Sequence, residues 1–163
     1  MTRYVSLLAL ACLGCGGAPQ PEMTDADRSS IRSAVEQQVR VLAEGGSQLS
    51  ADVQISVMAS DVEFIDFTND YAGTDALREG WTNLFSRFQS FEFEWGEIDV
   101  QVLSGSWALA AARGTVRRQF VDGRFQETNP YIFLTALFQL QDGEWKLTRG
   151  HFSGSIRTLD GAP

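Results

Sequence analysis

Two Asp-Gly pairs, Asp122-Gly123 and Asp142-Gly143, do most to limit what this chain can become. Each lies between long runs of aromatic and β-branched residues. Asp and Gly tolerate the positive φ that tight hairpin turns demand, so the pairs read as hairpin turns. With the link Ser104-Gly105-Ser106 they divide the second half of the chain into strands over 91–103, 107–121, 125–140 and 144–156. Short links force consecutive strands to lie side by side, which makes an antiparallel meander. Pro130 falls inside the third of these strands. It has no N–H to give to a ladder, so a bulge or bend is expected there.

The first half has a different texture. Thr24 followed by Asp25 and Asp27 is a helix start, with a capping side chain and acids in the first turn. Ile31, Ala34, Val35, Val39 and Leu42 recur at helical spacing, and Gly45-Gly46 is the expected end. A shorter helix is expected from Ser50 to about Met58. Residues 62–67 read as a strand and 68–70 as a turn. A third helix opens at Gly73-Thr74-Asp75 with Thr74 as its cap, and carries an apolar stripe of Leu77, Trp81, Leu84, Phe85 and Phe88. Helices first and a meander second predict an α+β domain over residues 24–157, with helices packed on one face of a curved antiparallel sheet. Residues 158–163 form a short polar tail.

The N-terminus reads as an address. Met1-Thr2-Arg3 is followed by an apolar run, Tyr4 to Leu13, far short of the roughly 20 residues a helix needs to span a bilayer. Leu13-Gly14-Cys15-Gly16-Gly17 resembles a bacterial lipoprotein cleavage site, in which the cysteine is lipidated and becomes the new N-terminus. Residues 1–15 are therefore expected to be a lipoprotein-type signal peptide, Cys15 the lipidation site and 16–23 a linker. Cys12 is the competing cysteine, and an ordinary cleaved signal peptide the competing reading. The expected location is the bacterial cell envelope, lipid-anchored, or else secreted or periplasmic.

Both cysteines lie in this segment, so the domain after it has neither disulfide nor thiol nucleophile. One histidine and no cysteine argue against a metal site. No phosphate loop or dinucleotide fingerprint appears, and no cofactor is expected. A net charge of −8 repels nucleic acid and anionic lipid, leaving the N-terminal lipid as the expected route to a membrane.

Two stretches carry a resemblance. One is Gly73-Thr74-Asp75-Ala76-Leu77-Arg78-Glu79-Gly80-Trp81-Thr82-Asn83-Leu84-Phe85. The other is Asp142-Gly143-Glu144-Trp145-Lys146-Leu147 followed by His151-Phe152-Ser153-Gly154. In this order and spacing they resemble the SnoaL-like families of the nuclear transport factor 2-like superfamily, and the association domain of calcium/calmodulin-dependent kinases. The resemblance implies a cone with a pocket between helices and concave sheet, and frequent homodimers through the sheet. Some relatives are isomerases, dehydratases, cyclases or hydrolases; many others bind ligands or assemble. The charged pocket positions of the kinase association domain fall here on Leu77, Val116, Ala136 and Phe152, all apolar. With Trp81 and Leu134, these are the expected lining of an apolar pocket rather than an anion site. Larger side chains filling the cone are the alternative.

Three residues are candidates for chemistry. Alternation puts Asp66 on one strand face with Val62 and Phe64, where a carboxylate facing an apolar cavity could shuttle a proton. Ketosteroid isomerase-like relatives pair such an aspartate with a tyrosine on the first helix, and this first helix has none. His151 and Arg113 are the possible assistants, though alternation sets His151 on the face opposite Ala136 and Phe152. Two functions remain open. The first is a lipid-anchored or secreted domain that binds a small apolar ligand or serves as a dimerisation module. The second is an isomerase, dehydratase or cyclase with Asp66 as acid/base.

Overall fold

The computed structural model describes residues 22–67 and 69–159. The signal segment 1–15 with Cys15, most of the linker and the end of the tail lie outside the described residues. The first helix, α1 (Asp25–Ser47), begins as the sequence demands. The Asp27 N–H donates to Thr24 Oγ1 at 3.1 Å and the Thr24 N–H donates to Asp27 Oδ2 at 3.0 Å, a reciprocal capping box.

The helix runs through Gly45 and Gly46 instead of stopping there. These glycines are points of close approach. A Cβ on Gly45 would sit 2.5 Å from Gln54 Cγ, and one on Gly46 would sit 3.1 Å from the Phe93 ring. Gln54 lies on α2 (Ala51–Ile55) and donates from Nε2 to the Leu42 carbonyl at 2.7 Å, so the two helices are locked through a buried amide.

Next come β1 (Met58–Asp66), β2 (Asn69–Ala72), α3 (Thr74–Phe85), and the long strands β3 (Phe88–Ser104), β4 (Trp107–Phe120), β5 (Phe125–Gln141) and β6 (Glu144–Leu159). The six strands form one sheet in the order β2-β1-β6-β5-β4-β3. The meander β3 to β6 is antiparallel throughout, and β1 joins its β6 edge in parallel. The sheet is therefore mixed, mostly antiparallel, with α1 and α3 against it and α2 packed on both of these helices.

Four local expectations change. The second helix ends at Ile55, and Met58, expected to close it, opens β1. Part of the stretch expected to be a turn, Asn69 onward, pairs as the short edge strand β2. Phe88 opens β3 rather than closing the helical stripe. The cap of α3 is Gly73, at φ 81, not Thr74. A left-handed residue is needed because the Gly73 N–H turns back to the Val62 carbonyl at 2.7 Å.

Alternation organises the core. Ala108, Ala110, Ala112 and Val116 of β4 and Ile132, Leu134, Ala136 and Phe138 of β5 are all buried on the concave face. α1 presses Val35, Val39 and Leu42 into that face, and Trp95 Nε1 donates to the Val39 carbonyl at 2.8 Å. Each fully buried large side chain, such as Phe64 or Phe138, contributes about 1.5–3 kcal/mol over its exposed state. The register slips between Gly114 and Arg117 and between Thr128 and Ile132, on either side of Pro130. The Thr128 hydroxyl accepts the Val116 N–H at 3.3 Å, filling the gap that the bulge leaves.

Candidate active site

The side chains that α1 covers fill one end of the cone. The other end, below α3, holds a cavity of about 440 Å³. Its walls come from β1, β2, α3 and the far ends of β3 to β6. Phe85, Phe91, Phe93, Phe152 and Ile132 are among its apolar lining residues, and Asp66, Tyr71, Arg87 and Arg118 are its charged or ionisable groups.

Asp66 is the last residue of β1. Its alternation with Val62 and Phe64 turns it inward, and it is only 8% exposed. Trp81 Nε1 donates to Asp66 Oδ2 at 3.2 Å. The indole is held for this by the edge of Phe64, with ring centroids 5.5 Å apart. Burial pushes the Asp66 carboxyl above its usual range, while the Trp81 donation and the nearby Arg118 charge pull back part of that rise. The chain then breaks sharply: Phe67, also on the cavity wall, takes φ 52. A bulky residue in the left-handed region costs on the order of 1 kcal/mol, strain of the kind that gathers at functional sites.

Tyr71 arrives from β2. In the register Asp66 faces Asn69 and Phe64 faces Tyr71, so the phenol stands on the same inner face, one diagonal step from the carboxylate. The ring lies against Gly80 of α3, where a Cβ would come within 2.4 Å of it. Burial, and secondly the charge of Asp66, raise the phenol above its usual value, so it stays a hydrogen-bond donor at neutral pH. Arg118 comes from β4, and its Nε and Nη2 donate to Gln126 Oε1 at 3.0 and 2.8 Å. Burial lowers its value, opposed by Asp66 and reinforced by Arg87.

The expected lining divides between wall and core. Trp81, Val116 and Phe152 line the cavity. Leu77, Leu134 and Ala136 are buried in the packed core beyond it. The expectation of a wholly apolar pocket is corrected by Asp66, Arg118, Arg87 and Tyr71. Arg118 was readable: it continues the inward series Ala110, Ala112, Gly114, Val116 by two. Tyr71 was not, because its strand read as a turn.

His151 and Arg113 do not join Asp66. His151 is exposed on the convex face, between Ile65 of β1 and Thr135 of β5. Arg113 is exposed there too, with Nη2 at 3.2 Å from Glu97 Oε2 and its guanidinium 5.6 Å from the Tyr131 ring centroid. Both corrections follow from the two-residue period of strands. Among the described residues, no three His, Cys, Asp or Glu side chains gather in a way that could hold a metal ion.

A family model described as the SnoaL-like domain matches residues 31–157. The chain belongs to this SnoaL-like family. No curated protein matches it. Among solved structures, this SnoaL-like domain is similar to the hexachlorocyclohexane dehydrochlorinase LinA-type3 of Novosphingobium barchaimii LL02, at 16% identity and TM-score 0.76, over 85% of this chain and 97% of that one. A protein of Novosphingobium aromaticivorans DSM 12444, provisionally named a scytalone dehydratase, superimposes with TM-score 0.74 at 17% identity, over 86% of this chain and 93% of that one. A Mycobacterium tuberculosis protein of unknown function gives TM-score 0.70 at 15% identity, over 85% of this chain and 78% of that one. At such identities the likeness establishes the nuclear transport factor 2-like cone and nothing about activity.

Proposed function

We propose that the cavity is a catalytic pocket in which Asp66 moves a proton on a small, ring-bearing molecule with a carbonyl or leaving group. The observation that carries this reading is a buried carboxylate, raised in pKa, on the wall of an open cavity. A base is most effective when its pKa approaches the working pH, and burial moves Asp66 that way. Ionised Asp66 would take a proton from carbon. Tyr71, as a donor on the same wall, would stabilise the oxyanion that forms, and Trp81 would keep the carboxylate aimed. The tyrosine absent from α1 is thus replaced by one from β2. A volume of about 440 Å³ suits a molecule of one or two rings.

The test is proton exchange. In D2O, exchange at the α-carbon of ring-bearing carbonyl compounds such as 2-tetralone is followed by NMR with the wild type and Asp66→Asn. The variant should lose about 10²–10⁴-fold of the catalysed rate. Equal rates in the two proteins across the panel would sink the reading.

The same proposal sets the domain at the cell envelope, tethered through Cys15, as the lipobox-like segment supports. No helix among the described residues is long and apolar enough to cross a membrane. Mass spectrometry of membrane-fraction protein should find a lipid adduct on Cys15, and an unmodified chain would remove the anchor. A homodimer through the convex face is supported by exposed Ile65, Tyr131 and Phe133. A monomeric mass in light scattering would remove it.

A further inference from the structure

We infer that the ligand of this cavity is a ring-bearing monoanion, a carboxylate whose head is held by Arg118 and Arg87 at the mouth. The inference rests on the reading of the cavity as a ligand site, and it adds the charge of the molecule that enters.

The chain is acidic overall, at −8, and carboxylates for pairing are plentiful. Arg113 has Glu97, Arg149 has Glu63 and Arg157 has Glu127. Three arginines surround the Phe120 ring: Arg124 at 4.7 Å, Arg87 at 5.8 Å and Arg118 at 5.8 Å from its centroid. Arg124 is paired with Asp122 at 2.8 Å. Arg87 and Arg118, the two that line the cavity, have no carboxylate within salt-bridge distance among the described residues.

Arg118 is half-buried, and a neutral amide, Gln126, orients its guanidinium. Phe88 shelves it from one side at 4.8 Å. A desolvated guanidinium held by a neutral group keeps its charge available, and its planar fork suits a carboxylate. Asp66 acts on this charge only at longer range and no anion is paired with it directly, so an incoming carboxylate relieves the cost of its burial.

With Asp66 ionised, the formal charge of the wall bears on the ligand's valence as well. Two cations and one carboxylate, Asp66, leave a net charge of about +1, which complements a monoanion and not a dianion. The rest of the surface, Phe91, Phe93 and Phe152 above all, offers ring faces and edges to an apolar body. Seated this way, the head lies at Arg118 and the body reaches toward Trp81 and Asp66. That would also place the reacting carbon of a substrate deeper than its carboxylate.

Calorimetry with 2-naphthoate, 2-naphthamide and 2-naphthyl phosphate tests this on the intact protein. The carboxylate should bind at least about 10-fold tighter than the isosteric amide, the worth of one charge-assisted contact. It should also bind tighter than the phosphate. Arg118→Gln should bring the acid-to-amide ratio close to unity while leaving amide affinity nearly unchanged, and Arg118→Lys should keep part of the ratio. Unchanged amide binding in Arg118→Gln also shows that the variant is folded.

Equal binding of acid and amide to the wild type would overturn the inference. So would a ratio that survives Arg118→Gln, a preference for the phosphate, or no carboxylate binding. The reading of Asp66 fails separately: loss of the charge preference with Asp66-dependent exchange of 2-tetralone intact removes the carboxylate and keeps the base. A retained preference with Asp66-independent exchange does the reverse.

Discussion

The two ends of the cone are built on the same strands and differ in what the alternation delivers to them. Along β4 the inward series runs Ala108, Ala110, Ala112, then Val116 and Arg118. At the alanine end, small side chains let α1 come close, and Val35, Val39, Leu42 and Phe138 close the space to zero exposure. At the Arg118 end no α1 side chain lines the wall, and the space stays open beneath α3. The closed end is a packing solution, in which shape decides everything. The open end keeps a carboxylate, a phenol and two guanidinium groups that packing alone would exclude. Small residues on a concave sheet therefore need not imply a pocket. They made room for a helix here, and the cavity formed where bulky and charged residues line the wall.

The largest test of this division is truncation at each end. Phe138→Ala removes a fully buried ring from the closed end and should cost about 3–5 kcal/mol in urea or thermal unfolding. Phe91→Ala, partly exposed at the cavity, should cost roughly half as much or less, since a smaller area leaves water. Equal losses would mean that the two ends are packed alike.

A glycine pair sharpens the same contrast at a smaller scale. A Cβ on Gly150 would come within 2.4 Å of the Phe64 ring, and one on Gly80 within 2.4 Å of the Tyr71 ring. Phe64 is fully buried and boxed in by Trp81 and Phe152, so Gly150→Ala should cost about 1–3 kcal/mol by overpacking. Tyr71 is half-buried on an edge strand and can give way. Gly80→Ala should therefore recover up to about 1 kcal/mol of helix propensity while displacing the phenol. Near-native stability with reduced exchange of 2-tetralone is the expected outcome. Full activity in that variant would remove Tyr71 from the site.

Titration separates the cavity from the surface by sign. Asp66 has a folded value raised by burial, so the folded chain holds this proton to higher pH than the unfolded chain does. Its contribution is fully present below the unfolded value of about 3.9 and is lost as pH rises through the raised one. The groups that bear on it, Tyr71, Arg118 and Trp81, leave that direction standing. Asp122 and Glu144, both on the surface, run oppositely: lowered by Arg124 and Lys146, they contribute above their unfolded values and lose that as pH falls. The unfolding midpoint of Asp66→Asn should gain on the wild type as pH climbs from 4 toward neutrality. A constant gap would mean that Asp66 is not desolvated.

How much of this was legible depends on whether a residue's place is fixed locally. The hairpins, the capping box at Thr24 and the inward facing of Asp66 follow from turn chemistry and alternation, and each can be read without knowing the fold. The parallel seating of β1 on β6 is long-range and leaves no local mark. Gly45-Gly46 looked like a stop because a helical glycine usually is one, and only the approach of Gln54 and Phe93 explains it. Tyr71 was hidden for the same reason: β2 is four residues long, half polar, and exists only because β1 offers it an edge. Arg118 lay in plain view along β4, but a cationic side chain on a buried face makes sense only once the cavity is there.

The smallest effect expected is at the residue that looked most reactive. His151 is the chain's only histidine, and it stands exposed on the convex face with Ile65 and Thr135 beside it. Backbone and sheet separate it from the cavity, so its ring cannot reach a molecule that Asp66 touches. His151→Ala should change stability by no more than about 0.5 kcal/mol, as exposed substitutions away from packing and ion pairs do. Exchange of 2-tetralone should keep the wild-type rate and pH profile, because the titrating group is Asp66. A changed rate or pH profile in that variant would show that the two faces of the sheet communicate. The division of the molecule into an inner end proposed to be catalytic and a bystander outer face would then have to be redrawn.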